Sequence, residues 1–333
     1  MSLLYINENG AVIGIEENRF VVKYKDGMKR IIPAETLEGI TIMGHSQMTT
    51  QCTEECLKRG IPVLYLSKGG NYYGRLESVN HVKAERQRKQ CALYDTQFAL
   101  ILAKRIISAK LKNQSVVLKR YEKSRGIELN ECQKMLKICR DKTESCNSVN
   151  EIMGYEGQGA KYYFEGLSAC VESDFKFNGR SKRPPLNPFN TMISFGYSIL
   201  MNELHSKIEL KGLNPYFGFI HRDAEKHATL ASDMMEEWRA VIVDAVAMSL
   251  INGHEICKDD FSYGLDEPGC YFTKNGMKIF INKLEKKLQT EVRYLEYVDY
   301  AVSFRQAIAL QLNQLVKAVE NEDASIYTPI QIR

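Results

Sequence analysis

Leu93-Tyr94-Asp95-Thr96-Gln97-Phe98-Ala99-Leu100-Ile101-Leu102-Ala103-Lys104-Arg105-Ile106-Ile107 is the stretch that decides the fold class. Apolar side chains recur in it at three- and four-residue intervals through Leu93, Phe98, Leu100, Ile101, Ile106 and Ile107, the period of a helix with one buried face. From about His81 onward turn signals thin out and this period persists, so residues 80–325 read as an all-α domain. Two interruptions stand out. Within residues 178–188, Gly179, Pro184, Pro185 and Pro188 cannot occupy a helix interior, and residues 212–219 form a second break. Both are candidate functional loops. Residues 326–333 read as a loose tail.

Upstream, the punctuation is that of strands. Short apolar runs at 3–6, 11–15, 20–24, 40–43 and 63–65 are separated by Asn9-Gly10, Asp26-Gly27 and Gly69-Gly70. One helix interrupts them between Thr49 and Gly60, with threonine placed as its cap and glycine as its stop before Ile61-Pro62. The expected class is therefore α+β: a small β-rich domain over residues 1–79, then the helical domain.

With 333 residues and 44% hydrophobic content, the chain is long enough for two modest cores. Its start lacks a basic segment followed by an apolar run, and no stretch approaches the roughly 20 apolar residues that span a bilayer, so a cytoplasmic protein is expected. Nine cysteines, an odd number with no CxxC pair, read as reduced thiols. Cys132, Cys139 and Cys146 recur every seven residues, which suits one buried helix stripe better than a zinc site. The net charge of +4 is too small to prove a nucleic-acid partner. Basic residues nevertheless crowd into 83–125 and 176–183, as expected of a phosphate-neutralising face or of solvated helix faces.

Three segments carry chemistry. Gly154-Tyr155-Glu156-Gly157-Gln158-Gly159 sets three glycines around a glutamate inside a helical pattern. Each interior glycine forfeits roughly 1 kcal/mol relative to alanine, so a neighbouring helix or a substrate strand must come close to this backbone. Tyr216-Phe217-Gly218-Phe219-Ile220-His221 ends an aromatic-apolar stretch on a histidine that is either a satisfied structural residue or a ligand. Asp233, Glu236 and Arg239 share a face of a long helix continuing to about Leu250 and stopped by Gly253, either as a solvated acidic first turn or as part of a site. On one continuous helix His221 and Glu236 would stand about 22 Å apart. A break between Arg222 and Thr229 lets the chain fold back, and Glu156, His221 and Glu236, assisted by Asp233, then form an acidic site with one imidazole. Such ligation suits Mg²⁺ or Mn²⁺, the histidine favouring Mn²⁺.

Taken together, these segments resemble the CRISPR-associated integrase family, the protein numbered one among the CRISPR-associated proteins. The resemblance extends over most of the chain: Gly44-His45-Ser46 through Gly60-Ile61-Pro62, Ala109-Lys110-Leu111-Lys112-Asn113-Gln114, Gly154-Tyr155-Glu156-Gly157, Arg183-Pro184-Pro185 running into Asn190 and 194–197, Gly218-Phe219-Ile220-His221, and 233–239. It implies a β-sandwich amino-terminal domain used for homodimerisation and a helical domain that holds the metal through Glu156, His221 and Glu236, with Asp233 close by. Many members carry aspartate where Glu236 stands; glutamate is also common there. The implied chemistry joins the 3′-hydroxyl ends of short double-stranded DNA fragments to repeat phosphodiesters, with DNA cleavage as a related activity of the same site. The implied partners are a second copy of the chain and a dimer of the small CRISPR-associated protein two, in a heterohexamer. Lys110, Lys112, Arg180, Lys182, Arg183 and Arg239 are the candidate DNA-phosphate contacts. The competing enzyme reading is a general metal-dependent nuclease acting on branched or single-stranded DNA in repair. A non-catalytic DNA scaffold is the reading from another class.

Overall fold

Turns set the strand pairing of the amino-terminal unit. The structure, a computed structural model, describes residues 2–68, 72–264 and 268–333, divided into two units, Met1–Val82 and Lys83–Arg333. The expected turn at Gly69-Gly70 lies outside the described residues. In the first unit, β1 (Ser2–Ile6), β5 (Leu37–Met43), β7 (Val63–Leu66) and β8 (Tyr72–Leu76) form one sheet in that order, the first three parallel and β8 antiparallel to β7. β4 (Lys29–Pro33), β3 (Arg19–Lys23), β2 (Val12–Glu16) and β6 (Gln47–Met48) form the other. Asp26-Gly27 turns β3 into β4, with Lys23 opposite Lys29. Glu17 and Asn18, both left-handed (φ 48° and 63°), close β2 onto β3. Leu4, Ile6, Ile40, Ile42 and Val63 from one sheet meet Ile13, Phe20 and Val22 from the other in one core, making the unit a β-sandwich.

The helix interrupting the strands, α1 (Thr50–Arg59), forms as its ends dictate. Thr49 accepts the amide of Cys52 at 3.2 Å, and Gly60 takes a left-handed φ of 66°. Its inward Cys52 and Cys56 join the sandwich core.

The second unit is helical apart from two short pairs, β9 (Phe261–Tyr263) with β10 (Cys270–Phe272) and β11 (Glu291–Val292) with β12 (Val302–Ser303). After the short α2 (Ala84–Ala92), the long helix α3 (Gln97–Arg125) packs against α4 (Asn130–Ser145) and α5 (Val149–Ala169). Cys132, Cys139 and Cys146 are buried and free, as the seven-residue stripe predicts. The glycines of α5 divide by role. A Cβ on Gly159 would collide with the buried Leu111 side chain, so close helix packing favours that glycine; around Gly154 and Gly157 nothing lies within 4 Å. After the expected interruption, α6 (Pro188–Leu210) opens with proline in its first turn, and a loop then leads to α7 (Thr229–Met235).

Two expectations are corrected. The segment from Ala231 to Leu250 is not one uniform helix: α7 ends at Met235, Arg239–Asp244 is π-helical, and α8 (Ala245–Asn252) completes the run to Gly253. The wider turn follows the fully buried Trp238. Nor are residues 326–333 a loose tail. Tyr327, Ile330 and Ile332 are buried, Arg105 Nε donates to the Tyr327 carbonyl at 2.6 Å, and Asn113 donates to the Ile330 carbonyl at 3.1 Å while accepting the Ile332 amide at 3.0 Å. Alternating apolar residues and borrowed backbone partners make this segment part of the core. No described helix is long and apolar enough to cross a membrane.

Asn113 also donates to the Glu237 carbonyl at 3.2 Å. Asn113→Ala therefore strands three buried backbone groups and is expected to cost about 3 kcal/mol, at about 1 kcal/mol per lost bond. Urea unfolding checks it: the midpoint falls while the slope stays constant.

Candidate active site

One carboxylate organises the loop that carries the histidine. Asp233, fully buried on α7, accepts the amides of Phe219 and Ile220 on Oδ2 at 2.6 and 3.0 Å, and that of His221 on Oδ1 at 3.0 Å. The same Oδ1 lies 2.7 Å from His221 Nδ1. Thr229 adds a second clasp, accepting from Gly218 N at 2.9 Å and donating to the Tyr216 carbonyl at 2.6 Å. Here glycine is required at 218, because a Cβ would stand 2.8 Å from both Asp233 Oδ2 and Thr229 Cβ. With Nδ1 engaged, His221 turns Nε2 towards Glu236 Oε1 at 3.5 Å. Burial alone would lower the imidazole pKa, but the hydrogen bond and charge of Asp233 outweigh it and hold it raised. Asp233 thus serves the loop and the ring.

Glu156 on α5 and Glu236 at the end of α7 meet through a third helix. Lys110 of α3, buried, places Nζ in hydrogen-bonded ion pairs with Glu156 Oε1 and Glu236 Oε2. Arg239 Nη2 lies 3.2 Å from Glu236 Oε1. Burial pushes the Glu236 pKa up, yet Arg239, Lys110 and His221 together overcome it and hold the group at about 2. The predicted break between Arg222 and Thr229 is present, and His221 and Glu236 are neighbours.

Behind the carboxylates lies an aromatic layer. Arg239 stacks 4.7 Å from the centre of the Tyr197 ring, and Arg180 sits 5.4 Å from the same ring and 5.7 Å from Phe164. Tyr197 and Tyr163 donate to the buried carboxylate of Asp244 at 2.6 and 3.0 Å. Burial lifts Asp244 to about 6, with the two tyrosine hydroxyls and then Arg180 and Arg239 opposing the rise. Arg180 Nη1 also reaches Asn190 Oδ1 at 2.6 Å. Lys182, partly dehydrated and facing Arg180 and Arg239, is held below the ordinary lysine range. Arg183 is exposed.

Lys112 does not join these residues, and Lys110 meets them through Glu236, which also pairs with Arg239. Lys110 is enclosed by the carboxylates, and Lys112 bonds the side chain of Gln331. Positions two apart on a helix point to different sides.

A family model described as CRISPR associated protein Cas1 matches residues 4–286. The chain belongs to the Cas1 family. It is 34% identical over 333 residues to the CRISPR-associated endonuclease Cas1 of Mycobacterium tuberculosis, covering 100% of this chain and 98% of that protein. The fold matches that of a casposase bound to its integration product at a TM-score of 0.86 and 22% identity, covering 98% of this chain and 93% of the other. It also matches a chain of a Cas6-RT-Cas1–Cas2 complex at 0.85 and 24% identity, with all of this chain aligned to 36% of the longer one.

In this Cas1-family chain the donor chemistry fits a hard divalent cation. Two carboxylates from different helices converge on one positive charge, the Lys110 ammonium, and an imidazole nitrogen stands beside them. Among the described residues no three His, Cys, Asp or Glu side chains lie close enough as they stand to hold an ion; the lysine occupies the space between the glutamates.

Several residues of the site were not singled out from sequence. Asp244 had a signal, a lone acid inside the apolar run Ala240-Val241-Ile242-Val243-Asp244-Ala245-Val246. His227, with Nε2 2.9 Å from Ser232 Oγ and its ring 6.4 Å from that of His221, had only its place in a polar loop. Glu237 was indistinguishable from its neighbour. It points away from Glu236, accepting from Tyr327, from Ile330 N at 2.7 Å and from Gln311, and burial raises it to about 7.

Asp244 ties stability to pH. Its pKa is raised in the fold from an ordinary 3.8 to about 6, so its contribution is complete below about pH 4 and is lost as pH rises through 6. At about 1.4 kcal/mol per unit, the loss approaches 3 kcal/mol. Asp244→Asn should gain on the wild type by up to that amount between pH 4 and pH 7, as read from unfolding free energies across that range.

Proposed function

We propose that this chain is a divalent-metal-dependent DNA strand transferase and endonuclease of CRISPR adaptation, joining the 3′-hydroxyl ends of short DNA fragments to repeat phosphodiesters. The observation that carries the reading is the meeting of Glu156, part-buried, and Glu236, buried, from separate helices around one cationic position beside His221. Unpaired carboxylates do not persist away from water, so this arrangement is built for positive charge.

In this reading Glu156, His221 and Glu236 hold Mg²⁺ or Mn²⁺. When bound, such an ion lowers the pKa of the attacking hydroxyl and neutralises charge on the phosphoryl and leaving oxygens. Asp233 keeps His221 Nδ1 occupied, so that Nε2 faces Glu236. Arg180, Lys182, Arg183 and Arg239 neutralise the DNA backbone near the reacting phosphate. Gly154 and Gly157, with nothing packed on them, leave the helix surface beside Glu156 open to a strand. The DNA supplies the nucleophile. With a 3′-hydroxyl attacking, strands are joined; with water, they are cut.

The β-sandwich serves pairing with a second copy. The small CRISPR-associated protein two, named as a component of the solved Cas6-RT-Cas1–Cas2 complex whose matched chain shares this fold, is the partner that spaces two such dimers along the fragment.

The test is transfer of a short duplex with free 3′-hydroxyls into a supercoiled, repeat-bearing plasmid with Mn²⁺ or EDTA, partner present or absent. Joining is expected to need the metal, and His221→Ala and Glu156→Ala to abolish it while light scattering reports an intact dimer. Cleavage without joining under every condition would indicate a general nuclease, and indifference to EDTA would sink the metal site. Lys182→Ala is expected to weaken DNA binding without changing sequence preference, and to reduce the slope of log affinity against log salt by about 1. An unchanged slope would remove Lys182 from the DNA path.

A further inference from the structure

Lys110 has no part in the chemistry proposed above, yet it is placed at the centre of the site. Its side chain is 6% exposed, and its ammonium bonds at once to Glu156 and Glu236. With Arg239 against the other oxygen of Glu236, the two glutamate charges are matched by two resident cations. A divalent ion entering between the glutamates would find those oxygens occupied by a like charge, with which it cannot share them.

We propose that Lys110 is a displaceable counter-cation, which holds the two carboxylates together without metal, is expelled when a divalent ion binds, and so sets the affinity for that ion. The inference rests on the reading of Glu156, His221 and Glu236 as metal ligands. Lysine suits such a role because its ammonium is a compact charge on a flexible four-carbon stem that can withdraw while its helix stays in place. A guanidinium, planar and forked, would lock the carboxylates instead.

Binding of Mn²⁺ alone to the full chain without DNA, followed through the resonance of free Mn²⁺, tests this. Lys110→Gln keeps N–H donors between the glutamates but removes the charge, and is expected to bind Mn²⁺ at least tenfold more tightly than the wild type. His221→Ala should weaken binding in both backgrounds. Equal or weaker binding by a folded Lys110→Gln protein, alongside saturable binding by the wild type, overturns the counter-cation and leaves the metal site standing. Absence of saturable binding in both proteins overturns the two together.

A measurement on the unaltered chain needs no variant to fold. Acylation of lysines read by peptide mass spectrometry is expected to find Lys110 protected in EDTA and labelled several-fold faster with Mg²⁺. Equal labelling in both conditions overturns displacement.

Discussion

Two carboxylates withdrawn from water cannot stand side by side without positive charge between them, and the helical unit is arranged around that constraint. α3 supplies the lysine, α5 one glutamate and α7 the other, so the three elements converge on a single electrostatic knot. Because Lys110 and Arg239 both pair with Glu236, loss of Glu156 still leaves the buried glutamate compensated. Helices that share so unfavourable a set of groups must be held there by packing, which the collision awaiting any side chain at Gly159 illustrates.

Asp233 and the π-helical stretch complete the geometry from either side of Glu236. Asp233 converts an irregular loop into a fixed support by taking three of its amides and its imidazole. Between α7 and the π-helical stretch, the turn over residues 236–238 sends adjacent acids to different partners. One faces the lysine; the next faces Tyr327 and the amide of Ile330. Adjacent residues along such a chain point in different directions, which allows consecutive glutamates to face the Lys110 cluster and the carboxy-terminal segment at once.

Much of this was legible in the chain itself. The change of period from about His81, the caps of α1 and the two interruptions of the helical region all reflect local chemistry. So did the fold-back between His221 and Glu236, because their separation on a continuous helix was incompatible with a shared site. What was not legible depends on partners distant in sequence. Residues 326–333 looked loose because their hydrogen bonds come from Arg105, Asn113 and Glu237. Strand β4 was missed because Lys29 and Arg30 mask the alternation, and the β2–β3 turn because Glu17-Asn18 is not a usual pair for left-handed backbone. Lys110 and Lys112 were grouped by charge alone, whereas α3 carries them to different neighbours.

The tyrosine beneath the two guanidiniums has a consequence of its own. The Tyr197 ring lies against both Arg180 and Arg239 while Asp244 anchors its hydroxyl, so both cations are held in place by a ring that is itself held. Guanidiniums held in this way have little conformational freedom left to lose on meeting any partner.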